Sequence, residues 1–240
     1  MFDKRKIIIA VNKLLIKKFG IPPRNSKLPN PLDMIIATIL SQNTNDKNSY
    51  RAFENLKAAY KNWDEVRTAR RDTIENKIKV AGLGFQKSTA IKNFLQGLYS
   101  TTGKLSLDYI NDFKDEEAIQ DLTSYKGIGV KTASCVLLFA LDRNICPVDT
   151  HVHRTLNRIG IVETKTPDKT FTAINEKFPA KIAHQFHTNL IRLGREICVP
   201  KNPRCGICPL VKVCEFEHKI FDNKSVGNAI PFMLLDNVNG

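Results

Sequence analysis

The chain has 240 residues, 42% of them hydrophobic, and a formal net charge of +13 from 37 Lys and Arg against 24 Asp and Glu. This length is enough for two compact domains of ordinary size, and the excess of basic charge indicates a polyanionic partner, most often nucleic acid. No apolar stretch approaches the roughly 20 residues that a membrane span requires, so the composition argues against a membrane protein.

Apolar residues recur at helical spacing along the chain, and strand alternation is weak. The first 20 residues predict an amphipathic helix rather than a signal peptide, because the apolar run IIIAV is short and lysines recur through it. The spacing predicts ten further helical segments: Pro31–Ser41, Ser49–Tyr60, Trp63–Arg70, Asp72–Ala81, Ser88–Tyr99, Glu116–Ser124, Lys131–Leu141, Thr150–Ile159, Pro167–Phe178 and Ile182–Ile197. The sequence therefore predicts an all-α protein, with a loose or docked tail over residues 221–240.

Residues 126–133, KGIGVKTA, place two glycines and a lysine at the start of an apolar segment. Gly127 and Gly129 permit backbone angles that other residues resist, and Ile128 can fill the gap between two helices. Backbone N–H groups at the start of the second helix would then be unpaired and could bind a phosphate; the alternative is a glycine-rich turn without a ligand. Residues 81–91 repeat the pattern of Gly-apolar-Gly, lysine and Thr-Ala, either by chance or as a second phosphate-binding turn.

Two charged residues near helix starts are candidates for chemistry. Lys131 falls in the first turn of its helix, where the positive end of the helix dipole disfavours a protonated amine. It would either contact a phosphate or act as an amine nucleophile. Asp149, in the segment VDTHVHR, is a good N-cap, and its carboxylate could also stabilise a cationic transition state.

The third candidate is a cysteine cluster: Cys198, Cys205, Cys208 and Cys214, with the spacing C-x6-C-x2-C-x5-C. Four clustered thiols in a chain without a secretory signal indicate a metal centre rather than disulfides. Zinc and an iron–sulfur cube both take four thiolates, and spacing alone does not decide between them. Arg204 lies in the same loop, so a metal centre would hold a basic loop that suits phosphate contact.

The hairpin GIGVKTA, the segment VDTHVHR and the cysteine spacing, in this order, resemble the endonuclease III family of the helix-hairpin-helix DNA glycosylase superfamily over about residues 30–218. The resemblance implies a catalytic lysine at Lys131, a catalytic aspartate at Asp149 and a [4Fe-4S] cluster on the four cysteines. It implies a bifunctional DNA glycosylase and AP lyase of base excision repair. Such an enzyme removes a damaged base, here expected to be an oxidised pyrimidine, and nicks the strand by β-elimination through a lysine Schiff base.

The resemblance also implies two helical domains with a DNA-binding cleft between them. A six-helix domain with the helix-hairpin-helix element would span residues 31–146, and residues 1–30 and 147–220 would form the domain with the iron–sulfur cluster loop. Lys131 and Asp149 would then come from opposite sides of the cleft. The expected partner is double-stranded DNA with a damaged base or an abasic site, bound by a monomer in the cytoplasm or nucleoid of a microbe, with no membrane.

The segment ILSQNTNDKN resembles the family's segment whose glutamine fills the gap left by the flipped base, with Gln42 and Asn43 as candidates. Leu83 resembles the wedge residue beside the orphaned base, although Gly84 and Phe85 depart from the family pattern. For His151, packing beside the aspartate is the alternative to a DNA contact. The other expected DNA contacts lie in the hairpin, after Asp149 and in the cysteine loop: Lys126, Gly127, Gly129, Val130, Thr132, His151, Arg154 and Arg204.

Two other classes of function are open. One is a non-catalytic iron–sulfur protein that binds DNA, in which Lys131 only touches phosphate, and the other is a zinc-stabilised helical module with a protein partner. The presence of both Lys131 and Asp149 favours the enzyme. Thr38 stands where the adenine-glycosylase branch carries a glutamate, which argues against that branch, whereas 5-methylcytosine, 8-oxoguanine and mismatched bases remain alternative substrates.

Overall fold

The computed structural model describes residues 3–24, 27–221 and 238. This part of the chain contains α-helices and three short 3-10 turns and no β-strand, which confirms the predicted all-α fold. It includes no helix that is both long and apolar enough to cross a membrane. The helices are α1 (Lys4–Phe19), α2 (Pro31–Leu40), α3 (Asp46–Ala59), α4 (Trp63–Thr68), α5 (Arg71–Ile78), α6 (Gly84–Thr102), α7 (Asp115–Ser124), α8 (Val130–Phe139), α9 (Thr150–Ile159), α10 (Pro167–Asn175) and α11 (Ala183–Glu196).

The described residues form two compact units. The first unit contains residues 3–23 and 144–221, and therefore α1, α9, α10 and α11. The second contains residues 24–143, apart from 25 and 26, together with Val238, and therefore α2 to α8. The predicted functional domains, 31–146 and 1–30 with 147–220, stay a prediction. The predicted tail of residues 221–240 lies outside the described residues except for Phe221 and Val238.

The second unit is built around α2 and α8, which pack against each other. Asn30 caps α2 by accepting a hydrogen bond from the backbone N–H of Leu32 at 2.8 Å, and Pro31 occupies the first helical turn. Every residue of α2 from Met34 to Leu40 is buried, and so is every residue of α8 from Thr132 to Phe139. A helix that is apolar on all sides belongs in a core. The burial of α2 fixes the segment that follows Leu40, and the burial of α8 fixes the turn before it.

The first unit is organised by α11, against which both α1 and α9 pack. Two side chains of α11 bind the end of α1: Asn189 Nδ2 donates to the carbonyl of Gly20 at 3.0 Å, and Arg192 Nη1 donates to that of Phe19 at 3.0 Å. These bonds satisfy carbonyls that have no partner within α1 itself. The same helix therefore supports the N-terminal helix and the helix that begins after Asp149.

Candidate active site

A tight turn joins α7 to α8 in the second unit. Gly127 has φ +97°, a backbone conformation that favours glycine, and the N–H of Ile128 donates to the carbonyl of Tyr125 at 3.0 Å. The side chain of Ile128 is 5% exposed, which confirms that it is a buried residue between the glycines. A Cβ on Gly127 would lie 2.8 Å from Cβ of Ala90 in α6. The turn is therefore packed directly on α6.

The start of α8 presents backbone N–H groups that the helix itself does not use. Its first internal hydrogen bond runs from the N–H of Ala133 to the carbonyl of Gly129 at 3.0 Å, and α8 has no side-chain cap. The N–H groups before Ala133 can therefore bind an acceptor from outside, such as a phosphate. A Cβ on Gly129 would meet no atom within 4 Å, so a ligand can approach the backbone closely. Lys126 is exposed beside this site, Val130 is half-buried, and the side chain of Thr132 is buried, which leaves only its backbone available.

Lys131 lies in the first turn of α8 and is half-buried. Within the described part of the chain, its Nζ makes no hydrogen bond and no ion pair. Only its backbone carbonyl is used, by Ser134 Oγ, which donates to it at 3.1 Å. No carboxylate of the described residues forms an ion pair with the side chain of Lys131, and the helix N-terminus adds further positive charge. Lys131 is thus a partly enclosed amine that is available to an electrophile.

Asp149, in the first unit, is the N-cap of α9. Its Oδ1 accepts a hydrogen bond from the backbone N–H of Val152 at 2.8 Å, which confirms the predicted capping role. This bond occupies one carboxylate oxygen, and the half-buried side chain makes no other hydrogen bond to the described residues. Asp149 can therefore cap α9 and still offer negative charge to a ligand.

The side chains of His151 and Arg154 are held against α11. A Cβ on Gly194 would lie 2.8 Å from Cβ of His151. Arg154 donates from Nε to the carbonyl of Cys198 at 3.0 Å and from Nη2 to the carbonyl of Gly194 at 2.8 Å. Burial lowers the pKa of His151, which favours the neutral imidazole. Both side chains thus have structural contacts, and their predicted DNA contacts stay predictions.

The residues predicted to enter the DNA lie in two loops of the second unit. Gln42 and Asn43 follow the end of α2; Gln42 is half-buried, and Asn43 is exposed with a left-handed φ of +50°. Leu83, just before α6, is also left-handed, with φ +49°, and its large apolar side chain is 46% exposed. Left-handed backbone at residues other than glycine is costly and is concentrated at functional sites. The DNA contacts of Gln42, Asn43 and Leu83 stay predictions.

Gly84 and Phe85, which depart from the family pattern, have clear local causes. A Cβ on Gly84 would approach Cγ of Glu75 to 3.0 Å, so a larger residue would displace that side chain. Glu75 forms an ion pair with Arg71, whose guanidinium in turn lies 4.4 Å from the ring centroid of Phe85. Phe85 is 57% exposed. The glycine therefore allows an arrangement that presents an aromatic ring next to Leu83.

Lys87 connects these two loops, although no role was predicted for it. Its side chain is 1% exposed, and its Nζ donates to the carbonyls of Leu40 and Ala81, each at 2.8 Å. Burial lowers the pKa of Lys87 to about 8. The available signal was the lysine of the repeated pattern in residues 81–91, which suggested a phosphate-binding turn. The structure places this lysine in the interior instead.

The four predicted ligand cysteines line one cavity of the first unit, together with the basic residues Arg158, Arg204 and Lys219 and several apolar side chains. All four are half-buried free thiols. Burial, together with repulsion from the other three cysteines, raises the pKa of Cys208 to about 11. Four thiolates in one cavity repel one another, and a bound metal centre would stabilise them. In the described residues, no group of three or more His, Cys, Asp or Glu side chains is arranged to hold a single metal ion.

Two arginines hold the cysteine loop in place. Arg158 donates from Nη1 to the carbonyl of Val199 at 2.8 Å and from Nη2 to that of Pro200 at 2.9 Å, and it lies 4.4 Å from the ring centroid of Phe216. Arg204 donates from Nη1 to the carbonyl of Glu196 at 3.0 Å. The predicted DNA contact of Arg204 stays a prediction, since this bond uses only part of its guanidinium.

The chain matches the model of the HhH-GPD superfamily, described as base excision DNA repair proteins, over residues 36–180, which is more than half of its length. An endonuclease III of Thermotoga maritima is 33% identical over 202 residues, covering 84% of this chain and 89% of that protein. An endonuclease III of Sulfolobus acidocaldarius is 32% identical over 195 residues, covering 79% and 84%. A relative from Arabidopsis thaliana, named as a DNA glycosylase, is 40% identical over 191 residues, which cover 75% of this chain and 65% of the relative's length.

A solved structure of a non-covalent complex between an endonuclease III and DNA has the same fold. It superposes with a TM-score of 0.72, at 24% identity, and the alignment covers 90% of this chain and 96% of the solved one. At this level of identity, the likeness shows the fold alone.

Proposed function

The chain belongs to the HhH-GPD superfamily of base excision DNA repair proteins and, within it, to the endonuclease III family, and we propose that it is a DNA glycosylase and AP lyase whose nucleophile is Lys131. The observation that supports this assignment is the environment of the Lys131 side chain. The side chain of Lys131 is half-buried and forms no ion pair with any described residue, and it stands in the first turn of α8, next to backbone N–H groups that can hold a DNA phosphate.

In the proposed reaction, the damaged nucleotide leaves the base stack, which is easier for a damaged base than for a normal one. The amine of Lys131 attacks C1′ of the sugar, and the bond from C1′ to the base breaks, so that the base departs with the bonding electron pair and takes up a proton. Opening of the sugar ring then gives a Schiff base between Lys131 and C1′. Loss of a proton from C2′ breaks the C3′–O bond, and hydrolysis of the Schiff base releases the lysine.

Asp149 is the proposed carboxylate partner of this reaction. Its Oδ1 is engaged by the N–H of Val152, which fixes the orientation of the side chain, and its other oxygen is not used by the described residues. A fixed carboxylate stabilises the positive charge that develops on the sugar as the base leaves. It can also accept a proton from the ammonium of Lys131 and so generate the nucleophilic amine.

The proposed DNA contacts of the second unit lie in the hairpin and in the two loops. The N–H groups at Gly129 and the start of α8 bind a phosphate without reading the sequence. Leu83 wedges into the duplex, and Gln42 or Asn43 fills the gap that the extrahelical base leaves. The left-handed backbone of Asn43 and Leu83 and the exposure of the leucine support this assignment.

Cys198, Cys205, Cys208 and Cys214 are the proposed ligands of a [4Fe-4S] cluster. The four thiols line one cavity of the first unit. Four cysteines can hold either a zinc ion or an iron–sulfur cube, and the resemblance of their spacing to the iron–sulfur spacing of the family favours the cube. Bound there, the cluster would hold the basic loop between the cysteines in one conformation.

The proposed substrate is double-stranded DNA with an oxidised pyrimidine or an abasic site, and the proposed active form is a monomer. The assignment to the cytoplasm or nucleoid follows from that substrate and stays a prediction. The net charge of +13 supports a DNA partner but does not distinguish one damaged base from another.

Borohydride trapping on a duplex with an abasic site tests the proposal, because borohydride reduces a Schiff base to a stable covalent link. We expect the protein to form a covalent adduct with the DNA, and Lys131→Gln to form none. Lys126→Gln is the matched control, since Lys126 is an exposed lysine of the same hairpin and should leave the adduct at saturating protein. Absence of an adduct with the unsubstituted protein, or an adduct that survives Lys131→Gln, would contradict the proposal.

A further inference from the structure

We propose that Lys87 is a positioning residue, whose buried ammonium holds the loops of Gln42 and Leu83 at a fixed separation so that both enter the duplex together. This inference rests on the proposed function, because it takes the two loops as the parts that enter DNA. Lys87 itself does not touch the substrate.

The two hydrogen bonds of Lys87 have matching positions in the two loops. One carbonyl belongs to Leu40, two residues before Gln42, and the other belongs to Ala81, two residues before Leu83. Each bond is 2.8 Å long, the length of a good charge-assisted hydrogen bond. One ammonium therefore connects the points at which both loops leave regular structure.

A lysine suits this place because both carbonyls stand at helix ends. Leu40 is the last residue of α2, and Ala81 is the last residue of the 3-10 turn Lys79–Ala81. Terminal carbonyls lack partners within their own helix and carry partial negative charge, which attracts a cation. An apolar side chain in place of Lys87 would leave two carbonyls without these bonds in a site that is 1% exposed to solvent, and this is costly.

The backbone beyond each carbonyl is short and constrained. Gly82 and Leu83 both have positive φ, +68° and +49°, and Asn43 has φ +50°. Such residues restrict the backbone between the fixed carbonyl and the side chain that is proposed to enter DNA. A shift at either carbonyl would therefore move the corresponding side chain, and the side chains of a preorganised site must be placed to within a fraction of an ångström.

Lys92 provides a contrast within the same helix. Its Nζ also donates to two backbone carbonyls, those of Arg67 at 3.0 Å and Ala69 at 2.5 Å. These carbonyls lie at the end of α4 and just after it, in a segment with no predicted DNA-entering residue. Lys87 and Lys92 thus make the same kind of bond, and only Lys87 makes it to the two loops. A comparison of variants at Lys87 and Lys92 therefore distinguishes a positioning role of Lys87 from a general structural role.

The test uses Lys87→Met, which keeps an unbranched side chain as far as Cε and removes the ammonium donors, with Lys92→Met as control. The probe is a duplex with a tetrahydrofuran abasic analogue opposite 2-aminopurine, whose fluorescence rises when the base is unstacked. At saturating protein, we expect the fluorescence rise to be largely lost in Lys87→Met and kept in Lys92→Met. Single-turnover excision of an oxidised pyrimidine should fall about 10- to 100-fold in Lys87→Met only, as expected for a misplaced catalytic geometry.

The analogue cannot be cleaved, so its signal does not depend on Lys131, and failure of the proposed chemistry would be seen separately as the absence of a borohydride adduct. An undiminished rise in Lys87→Met would overturn the inference, and so would equal losses in both variants. Circular dichroism checks that each variant is folded. Should Lys87→Met not fold, Lys87→Gln retains a donor for one carbonyl; a rise equal to that of the unsubstituted protein would overturn the inference, and a reduced rise would support it.

Discussion

Gly127 and Ala90 approach each other so closely that a Cβ on the glycine would lie 2.8 Å from Cβ of the alanine and 3.4 Å from its Cα. Gly127 belongs to the hairpin before α8, and Ala90 belongs to residues 81–91, which repeat the pattern of that hairpin. The two similar segments therefore pack on each other in the second unit. The hairpin turn that we propose to bind phosphate therefore takes its position from α6, the helix that also carries Lys87.

The first prediction concerns the two glycines of the hairpin. Gly127→Ala should lower the free energy of unfolding by about 2 to 4 kcal/mol, because it combines a left-handed backbone with an overpacked contact. Gly129→Ala should change it by less than about 0.5 kcal/mol, since the added methyl meets no atom within 4 Å. The same methyl should weaken DNA binding, because it stands where a phosphate would approach. Urea unfolding measures the free energy of unfolding, and a titration with DNA measures the affinity. Equal destabilisation by Gly127→Ala and Gly129→Ala would contradict the packing argument.

The second prediction separates the two roles of Asp149. Asp149→Ala removes the cap of α9 and should lower the free energy of unfolding by about 1 kcal/mol, whereas Asp149→Asn keeps an acceptor for the N–H of Val152 and should cost less. Both should reduce the single-turnover excision rate by about 100- to 10,000-fold, because neither retains the carboxylate. An unchanged excision rate in Asp149→Asn would show that Asp149 only caps α9 and has no role in the reaction.

The third prediction is a dependence of stability on pH that belongs to Lys87. Burial lowers its pKa from the usual 10.5 to about 8 in the folded protein. Between these two values the unfolded chain binds more protons than the folded one, so the free energy of unfolding rises with pH. The rise amounts to about 3 kcal/mol over the whole window, at about 1.4 kcal/mol for each pKa unit. Below pH 8 the lysine is protonated in both states and contributes no slope.

The measurement is the free energy of unfolding of the unsubstituted protein minus that of Lys87→Met, from denaturant titrations between pH 7 and 10.5. Taking the difference removes the contribution of the other lysines and tyrosines. A flat difference between the two proteins would show that the ammonium of Lys87 is not desolvated in the folded protein.

Local sequence signals were enough to predict the helices and the position of Lys131 in the first turn of α8. The helix α9 has the predicted ends, Thr150–Ile159, because Asp149 before it and Gly160 after it are both strong end signals. The helix α6 begins four residues before the predicted Ser88, at Gly84, because the left-handed conformation of Leu83 lets the helix start directly after it. The half-buried Lys131 likewise stands in the first turn of α8, where the glycine spacing predicted it.

Contacts between distant parts of the chain were not predictable from these signals. The carbonyl of Leu40, which Lys87 binds, is 47 residues away, and the carbonyl of Cys198, which Arg154 binds, is 44 residues away. Both side chains are basic, and in a chain with a net charge of +13 a basic residue is readily assigned to DNA. Their partners are backbone carbonyls, which every sequence contains and no motif marks. Only the packing of the helices decides which lysine or arginine meets them.

The fourth prediction concerns the cysteine loop and its proposed cluster. The purified protein should be brown, with iron and acid-labile sulfide in equal amounts, and a colourless protein with stoichiometric zinc would contradict the cluster. Arg158 binds the carbonyls of Val199 and Pro200 through the two arms of its guanidinium and stacks on Phe216. A lysine cannot reproduce this fork, so Arg158→Lys should loosen the loop next to Cys198.

We therefore expect Arg158→Lys to lose its visible absorbance several-fold faster than the unsubstituted protein on exposure to air and an iron chelator. Arg192→Lys is the matched control: Arg192 donates to the carbonyl of Phe19 at 3.0 Å and lies 4.6 Å from the ring centroid of the same residue, in the same unit but away from the cysteines. If both variants lost the cluster at the same rate, the effect would come from a general weakening of the first unit. The carbonyls that Arg158 binds belong to the two residues that directly follow Cys198 in the chain. Faster loss of the cluster in Arg158→Lys alone would therefore mean that Arg158 and the cluster stabilise the same loop.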